Sequence, residues 1–143
     1  MLLDDLVSLR EGGTSPRVTA TEAGSVSETR DATTGKMVAQ VNSTGKDGIP
    51  IIVIADPDTG TSNDKSVVVT IEAADELAFD TTQEVVATFP AITYADLTAK
   101  FMVRRVHTAK KYLRSVITLS GSNGTFSRDF TIFIGTGAMN RDA

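Results

Sequence analysis

The alternation of apolar and other side chains near the C-terminus most constrains what this chain can fold into. Residues 110–136, KKYLRSVITLSGSNGTFSRDFTIFIGT, contain two apolar runs around a turn-rich centre. The residues that share a side are Leu113, Ile117 and Leu119 in the first run, with Ser115 among them, and Phe126, Phe130, Ile132 and Ile134 in the second, with Arg128 interrupting. Successive side chains of a strand point to opposite faces, so this pattern predicts two half-buried strands.

The centre of this stretch, Gly121-Ser122-Asn123-Gly124, contains an Asn-Gly pair. Asn-Gly favours a turn whose residues have positive φ, as in short hairpin loops. The sequence therefore predicts a β-hairpin over residues 110–136, on which the upstream strands pack.

Further strands are predicted along the rest of the chain. The segments that show apolar runs or alternation are Arg17–Thr21, Gly24–Ser27, Lys36–Val41, Ile49–Ala55, Ser66–Ala73, Val85–Phe89 and Phe101–Val106. In Ser66–Ala73 the alternation is strict, and Val67, Val69 and Ile71 face one way. About seven to nine short strands with no long helix are typical of a β-sandwich or barrel, so we expect an all-β, antiparallel fold.

The N-terminal residues carry leucines at helical spacing. Leu2, Leu6 and Leu9 recur before Gly12 and Gly13 end the pattern. A helical turn this short is marginal alone and must dock its leucines, either on its own domain or on a neighbouring subunit. The predicted divisions are a short N-terminal arm over residues 1–15, one domain over residues 16–137 and a C-terminal tail over residues 138–143.

Composition excludes several classes of protein. The 143 residues suit a single domain, and the chain has no cysteine, which excludes disulfides, a thiolate nucleophile and a Cys-ligated zinc. It can therefore fold in a reducing cytoplasm. Asp4 and Asp5 interrupt the apolar N-terminus, so we expect no secretory signal. No apolar run approaches the ~20 residues of a membrane span, so no membrane partner is expected.

Charge is distributed unevenly along the chain. Residues 1–90 carry 15 acidic and 6 basic side chains, a net charge of −9, whereas residues 91–143 carry 3 acidic and 8 basic ones, a net charge of +5. Surfaces of both signs suit complementary contact between protein subunits. A nucleic-acid-binding domain is expected to be basic overall, so we expect no nucleic-acid partner.

The basic side chains concentrate in one part of the chain. The candidates for an interface, together with the leucines at positions 2, 6 and 9, are Arg104, Arg105, Lys110, Lys111 and Arg114. A solvated surface, a protein–protein contact and a nucleic-acid surface all remain open on this pattern. Because Arg104 and Arg105 are neighbours on a strand, they must point to opposite faces, which disfavours one continuous stripe.

No residue pattern predicts catalysis or metal binding. Asp56, Asp58 and Asp64 lie in one polar loop, but Gly60 occupies the fifth position, where a calcium loop needs a ligand. A solvated turn is the favoured interpretation. His107 is the only histidine and lacks a nucleophile motif. We expect no catalytic, cofactor-binding or metal residues, and hence not an enzyme.

Several pieces of the chain, in order, carry a family resemblance. They are the opening Leu2-Leu3-Asp4-Asp5-Leu6, the piece Val18-Thr19-Ala20, the strand and following segment SVVVTIEAADELAF (residues 66–79), and the Tyr112-Leu113-Arg114 that starts the last apolar region. In this order the chain resembles the small jelly-roll capsid cement (decoration) proteins of tailed bacteriophages. The likeness covers residues 66–135 and, more loosely, the front half.

The resemblance implies a fold, a role and partners. It implies a jelly roll of two antiparallel sheets that forms a homo-oligomer, a dimer before a trimer. It implies a virion protein on the capsid exterior that cements neighbouring major capsid subunits after folding in the host cytoplasm. No catalysis and no cofactor are implied. The alternatives are another virion β-sandwich, such as a head–tail or tail protein, and a carbohydrate-binding module, which the absence of Trp disfavours.

Overall fold

The computed structural model describes residues 8–10, 22–28, 49–61, 64–76, 78–93, 98–108, 110 and 112–135. Every regular element in these ranges is a β-strand, and none of them contains a helix. The strands are β1 (Ser8–Arg10), β2 (Glu22–Glu28), β3 (Ile49–Ala55), β4 (Ser66–Ala74), β5 (Glu84–Thr88), β6 (Ile92–Thr93), β7 (Lys100–Val106), β8 (Tyr112–Ser120) and β9 (Phe130–Ile134). The predicted all-β fold of seven to nine short strands is confirmed.

The strands form two antiparallel sheets. The first sheet has the order β1-β9-β3-β7, and the second has the order β2-β8-β4-β5, with β6 also paired to β4. β5 and β6 pair with the same side of β4. Pro90 lies between them and interrupts the pairing, because it lacks an N–H group. Just before it, the Phe89 N–H still donates to the Val69 carbonyl at 2.9 Å. The predicted antiparallel sandwich is confirmed.

The core lies between the sheets and is built from alternate side chains. In β4 the predicted inward residues Val67, Val69 and Ile71 are buried, while their neighbours Val68 and Thr70 are half-buried. The same alternation buries residues of the other long strands, including Ile49, Ile51, Val53, Leu113, Ile117, Phe130, Ile132 and Ile134. Full burial of a Val, Leu or Ile side chain stabilises the fold by roughly 1.5–3 kcal/mol. Most of the stability therefore comes from this layer.

The predicted hairpin over residues 110–136 is wrong. β8 pairs with β2 and β4 in the second sheet, whereas β9 pairs with β1 and β3 in the first. The connection between them crosses from one sheet to the other. Positive φ is found at Gly121 (101°) and Gly124 (82°), so the turn residues bend the chain as expected, but they do not join two paired strands.

The crossing is held by the loop between β3 and β4. The Asp64 carboxylate accepts the backbone N–H groups of Asn123 at 2.9 Å and Ser122 at 3.3 Å. Asp58 Oδ1 accepts the Ser127 N–H at 3.0 Å. These bonds satisfy backbone N–H groups of a segment that lies between the two sheets and outside their ladders.

Two polar side chains lie inside the sandwich, on the side that the alternation assigned to them. Ser115 is buried in β8, and its Oγ donates to the Leu9 carbonyl of β1 at 3.3 Å. Arg128 is fully buried, and its Nη1 donates to the carbonyls of Asp56 at 3.1 Å and Thr98 at 3.2 Å. Buried polar groups need such partners, and the Ser115 bond also ties the two sheets together.

The N-terminal region differs from its prediction where it is described. Ser8–Arg10 form strand β1 rather than part of a helical turn, because β1 pairs with β9 and places Leu9 in the core. Gly24–Ser27 lie in β2, as predicted. The predicted connector after Pro90 contains the short strand β6. The predicted strands Arg17–Thr21 and Lys36–Val41, residues 1–7, and the boundaries of the arm and tail lie outside the described residues.

Candidate protein-interaction surface

The predicted basic group is divided between the two sheets. Arg104 and Arg105 lie on β7 at the edge of the first sheet, and both are exposed. Arg114 lies on β8 in the second sheet, and Lys110 precedes that strand. Lys111 lies outside the described residues. Arg104 and Arg105 therefore share one strand but lie on its opposite faces, and the other described candidates, Arg114 and Lys110, lie elsewhere.

Arg114 is held by its own domain. Its Nη2 lies 2.7 Å from Glu72 Oε1, and its Nε donates to the same oxygen at 2.8 Å. The guanidinium lies 4.4 Å from the centre of the Phe79 ring. β8 and β4 pair Arg114 directly with Glu72, so the ion pair follows from the register of the sheet. These contacts assign Arg114 to the packing of the second sheet.

Lys110 also has an acidic neighbour. Its Nζ lies 3.5 Å from Asp75 Oδ2 at the end of β4. Asp75 is exposed, so this ion pair is weak. Lys110 therefore does not join Arg104 and Arg105 in one cationic patch.

Of the three candidate leucines, the structure describes only Leu9. Leu9 is fully buried in the core of the described domain, so it is not exposed to a partner. Of the two open alternatives, packing on its own domain holds for Leu9. Leu2 and Leu6 lie outside the described residues, and their role stays a prediction.

Among the described residues, two of the three exposed large apolar side chains lie on β7, and the third, Val85, lies on β5. Phe101 is 64% exposed and Val103 is 46% exposed, whereas Met102 and Val106, on the other face of the strand, turn toward the core. This division follows from the alternation of side chains along the strand. Because Phe101 and Val103 share the outer face of an edge strand, we take them as the candidate interaction surface.

The exposed residues of β7 continue an apolar row on the outer face of the first sheet. In the register of β3 and β7, Phe101 pairs with Ile54 and Val103 pairs with Ile52. Ile52 in turn pairs with Phe133 of β9, and both are buried. We call Phe101, Val103, Ile52 and Ile54 the outer strip. Arg105 shares the outer face with Phe101 and Val103, whereas Arg104 lies on the opposite face of β7, so positive charge flanks the exposed apolar pair on both faces.

Sequence reasoning did not find the outer strip, although a signal was present. Ile49–Ala55 is a continuous apolar run rather than an alternating one. Such a run is typical of a strand that is apolar on both faces. The inward residues Ile51 and Val53 build the core, so Ile52 and Ile54 must give the first sheet an apolar outer face. The continuous apolar run therefore predicts an apolar outer face of β3, beside which Phe101 and Val103 of β7 lie.

The acidic loop before β4 has a structural role. Asp58 Oδ1 accepts the Gly60 N–H at 2.7 Å in addition to that of Ser127. The backbone N–H of Asn123, with smaller contributions from Ser122 and Lys65, lowers the pKa of Asp64. Within the described part of the chain, no group of three His, Cys, Asp or Glu side chains could hold a metal ion. The carboxylates bind backbone amides instead.

A second carboxylate organises the loop between β4 and β5. Glu76 Oε1 accepts the N–H groups of Asp80 at 3.1 Å and of Thr81 and Thr82 at 2.8 Å each, and Oε2 accepts the Thr82 hydroxyl. These bonds, that of the Thr82 hydroxyl first, lower the pKa of Glu76 from 4.5 to about 2. The loop holds Phe79 at a positive φ of 53°, buried beneath Arg114.

His107 follows β7 and is exposed. No family model and no curated protein matches this chain. The described residues include no helix with the length and apolar character needed to cross a bilayer.

Proposed function

We propose that the chain is a structural virion protein that binds the outer surface of a phage capsid and cements neighbouring major capsid subunits. The observation that carries the proposal is the outer strip, in which Phe101 and Val103 are exposed on an edge strand beside Arg104. An apolar surface flanked by charge is typical of a protein–protein contact, where it supplies burial and orientation together.

The strand order supports the jelly-roll form of the sandwich. Eight strands are divided into the orders β1-β9-β3-β7 and β2-β8-β4-β5, with β6 also paired to β4, and the chain changes sheets between β1 and β2, β2 and β3, β3 and β4, β6 and β7, β7 and β8, and β8 and β9. Double-sheet jelly rolls of eight strands occur in viral capsid proteins. Together with the resemblance of residues 66–79 and Tyr112-Leu113-Arg114 to cement proteins, this order favours a virion role.

The residues that carry the family resemblance contact one another inside the domain. The segment over residues 66–79 ends in the Glu76 loop, which seats Phe79 beneath Arg114. These residues form one packed unit of the second sheet. We therefore assign them to stability and assign capsid binding to β7, on the first sheet.

Repetition makes a small contact sufficient. Burial of one Phe and one Val side chain contributes roughly 2–4 kcal/mol before the cost of association. A shell presents many identical sites, and an oligomer that engages two or more of them gains avidity from the linkage. We expect a homo-oligomer, a dimer before a trimer.

The test adds the purified protein to capsid shells assembled without it. We expect co-sedimentation and a higher melting temperature of the shells. The double variant Phe101→Ser, Val103→Ser is expected to keep its own melting temperature and to lose binding, whereas the matched control Val85→Ser, at an exposed site on β5, keeps both. Shells that melt unchanged, with the wild-type protein left in the supernatant, contradict the proposal.

A stoichiometry measurement separates this role from the nearest alternative. A cement protein is present at hundreds of copies per particle, whereas a head–tail or tail protein is present at a few to about a dozen. Quantitative mass spectrometry of purified particles, relative to the major shell protein, decides between them.

A further inference from the structure

The four edge strands of the two sheets differ in how regularly each pairs with its neighbour. Register shifts interrupt the pairing of β1 with β9, of β2 with β8 and of β5 with β4. Bulges of this kind twist an edge and break its row of hydrogen-bonding groups, which is how natural sheets prevent further strands from joining. Three edges of this sandwich therefore carry a built-in obstacle to strand addition.

β7 is the exception. All seven of its residues pair with β3 in an unbroken register, from Ile49 with Val106 to Ala55 with Lys100. β7 contains no proline or glycine, and it lies at the end of the first sheet, where no other described strand pairs with it. Regular pairing on one side keeps the backbone of β7 in the geometry that a further strand requires.

We propose that β7 accepts an extended, acidic segment of the partner protein as an additional strand of the first sheet. Apolar side chains of that segment lie against Phe101 and Val103, and a carboxylate on its opposite face lies beside Arg104. The proposal rests on the proposed function for the source of the segment, which is the major capsid protein. It specifies how that contact is made.

The positive charge of β7 favours binding of an acidic segment. Arg104 is exposed and forms no ion pair within the described part of the chain. β7 itself contains three basic residues, Lys100, Arg104 and Arg105, and no acidic residue. An acidic strand gains from this charge when its carboxylates lie on the face of Arg104 and its apolar side chains lie on the face of Phe101 and Val103.

The same charge disfavours a second copy of the chain at this edge. A two-fold antiparallel pairing centred on Val103 would place Arg104 opposite Met102 of the other copy. The two Arg104 residues would then be diagonal neighbours, about 7–8 Å apart, and like charges at this distance repel. The exposed Arg104 therefore protects β7 from its own copies while leaving it open to an acidic strand.

A peptide provides the direct test. The probe is a nine-residue peptide of alternating Val and Glu, blocked at both ends, at neutral pH. Its binding is measured by fluorescence polarisation, and its position by hydrogen exchange with mass spectrometry. We expect exchange to slow in β7 and not in β5. Two control peptides, one with Lys for every Glu and one with Pro at the centre, are expected to leave β7 unprotected.

Charge reversal on the protein tests the role of Arg104. In Arg104→Glu we expect affinity for the Glu peptide to fall about fivefold or more, and affinity for the Lys peptide to rise by a similar factor. The double variant Thr88→Glu, Thr118→Glu, at exposed sites on β5 and β8, changes the net charge by the same two units and is expected to change either affinity less than twofold.

Proline tests the ladder itself. Neighbouring residues of a strand direct their N–H groups to opposite sides, so one of Met102 and Val103 faces β3 and the other faces the open edge. Proline at the residue whose N–H group faces β3 removes a hydrogen bond of the existing sheet, so we expect it to lower the melting temperature. Proline at the other residue is expected to preserve it and to abolish both peptide protection and shell binding.

The outcomes separate the inference from the proposed function. Shell binding that survives the folded proline variant overturns strand addition and leaves the cement role standing. Protection of β7 by the Glu peptide, with no shell binding by the wild-type protein, supports strand addition and removes the cement role. No protection of β7 at millimolar peptide, or a dimer that the same proline variant dissociates, overturns the inference.

Discussion

Replacing Asp58 tests the loop contact that carries the chain from the second sheet to the first. Asp58 Oδ1 accepts the N–H groups of Gly60 and Ser127, so Asp58→Ala leaves two part-buried amides without their acceptor. A hydrogen bond to a charged group contributes about 1.5–3 kcal/mol when buried. Water reaches this loop and replaces part of the loss, so we expect the free energy of unfolding to fall by about 2–3 kcal/mol in total.

The assay is urea unfolding followed by fluorescence or circular dichroism. We expect a lower midpoint with an unchanged denaturant slope, because the surface exposed on unfolding stays the same. Asp58→Asn keeps one oxygen acceptor and should lose about half as much. Asp56→Ala is the matched control: Asp56 is exposed in the same loop, and its stability effect should stay within about 0.5 kcal/mol.

Hydrogen exchange locates the effect. In Asp58→Ala the amides of Gly60 and Ser127 should exchange faster, while amides in the middle of β4 and β8 keep their protection. If Asp58→Ala and Asp56→Ala are equally stable, or if the Ser127 amide exchanges at its wild-type rate, Asp58 does not hold the crossing and our explanation of the missing hairpin is wrong.

Three further predictions concern the same scaffold. Because the pKa of Glu76 is lowered from 4.5 to about 2 in the folded protein, its contribution is complete above about pH 4.5 and is lost as the pH falls toward 2; Glu76→Gln should flatten the melting temperature over this window. Gly60→Ala should destabilise by about 1–3 kcal/mol in chemical unfolding, because its Cβ would lie 2.3 Å from the Thr125 carbonyl oxygen. Ser115→Ala removes the donor to Leu9 and should cost about 1 kcal/mol, with faster exchange in β1 as the specific readout.

The sequence predicted the features of the fold that depend on local pattern. The period of two is a property of neighbouring residues, so it identified the inward faces of β4 and β8 and placed Ser115 and Arg128 toward the core. It could not choose the partner of each strand. That choice depends on Asp58 and Asp64, which hold amides about sixty residues away in the chain. A turn signal and two apolar runs were therefore insufficient to distinguish a hairpin from a crossing.

The candidate surface shows the same limit. Sequence alone grouped Arg114 with Arg104 because both are basic and near in the chain. The structure separates them because Glu72, which lies 42 residues before Arg114, forms an ion pair with it. Alternation placed Phe101 and Val103 on one side of the strand. It did not identify that side as the exposed one, because exposure at a sheet edge depends on which strand lies beside β7.

Edge geometry and side-chain chemistry lead to the same conclusion about β7. An edge that only had to stay unpaired could have carried a bulge, as the other three do. A bulge would move Phe101 and Val103 off the face shared with Ile52 and Ile54 and would break the row of backbone groups. Regular pairing preserves both, and Arg104 supplies the protection that a bulge gives elsewhere. Both features fit the proposed strand addition, in which β7 rejects its own copies and receives a strand of opposite charge.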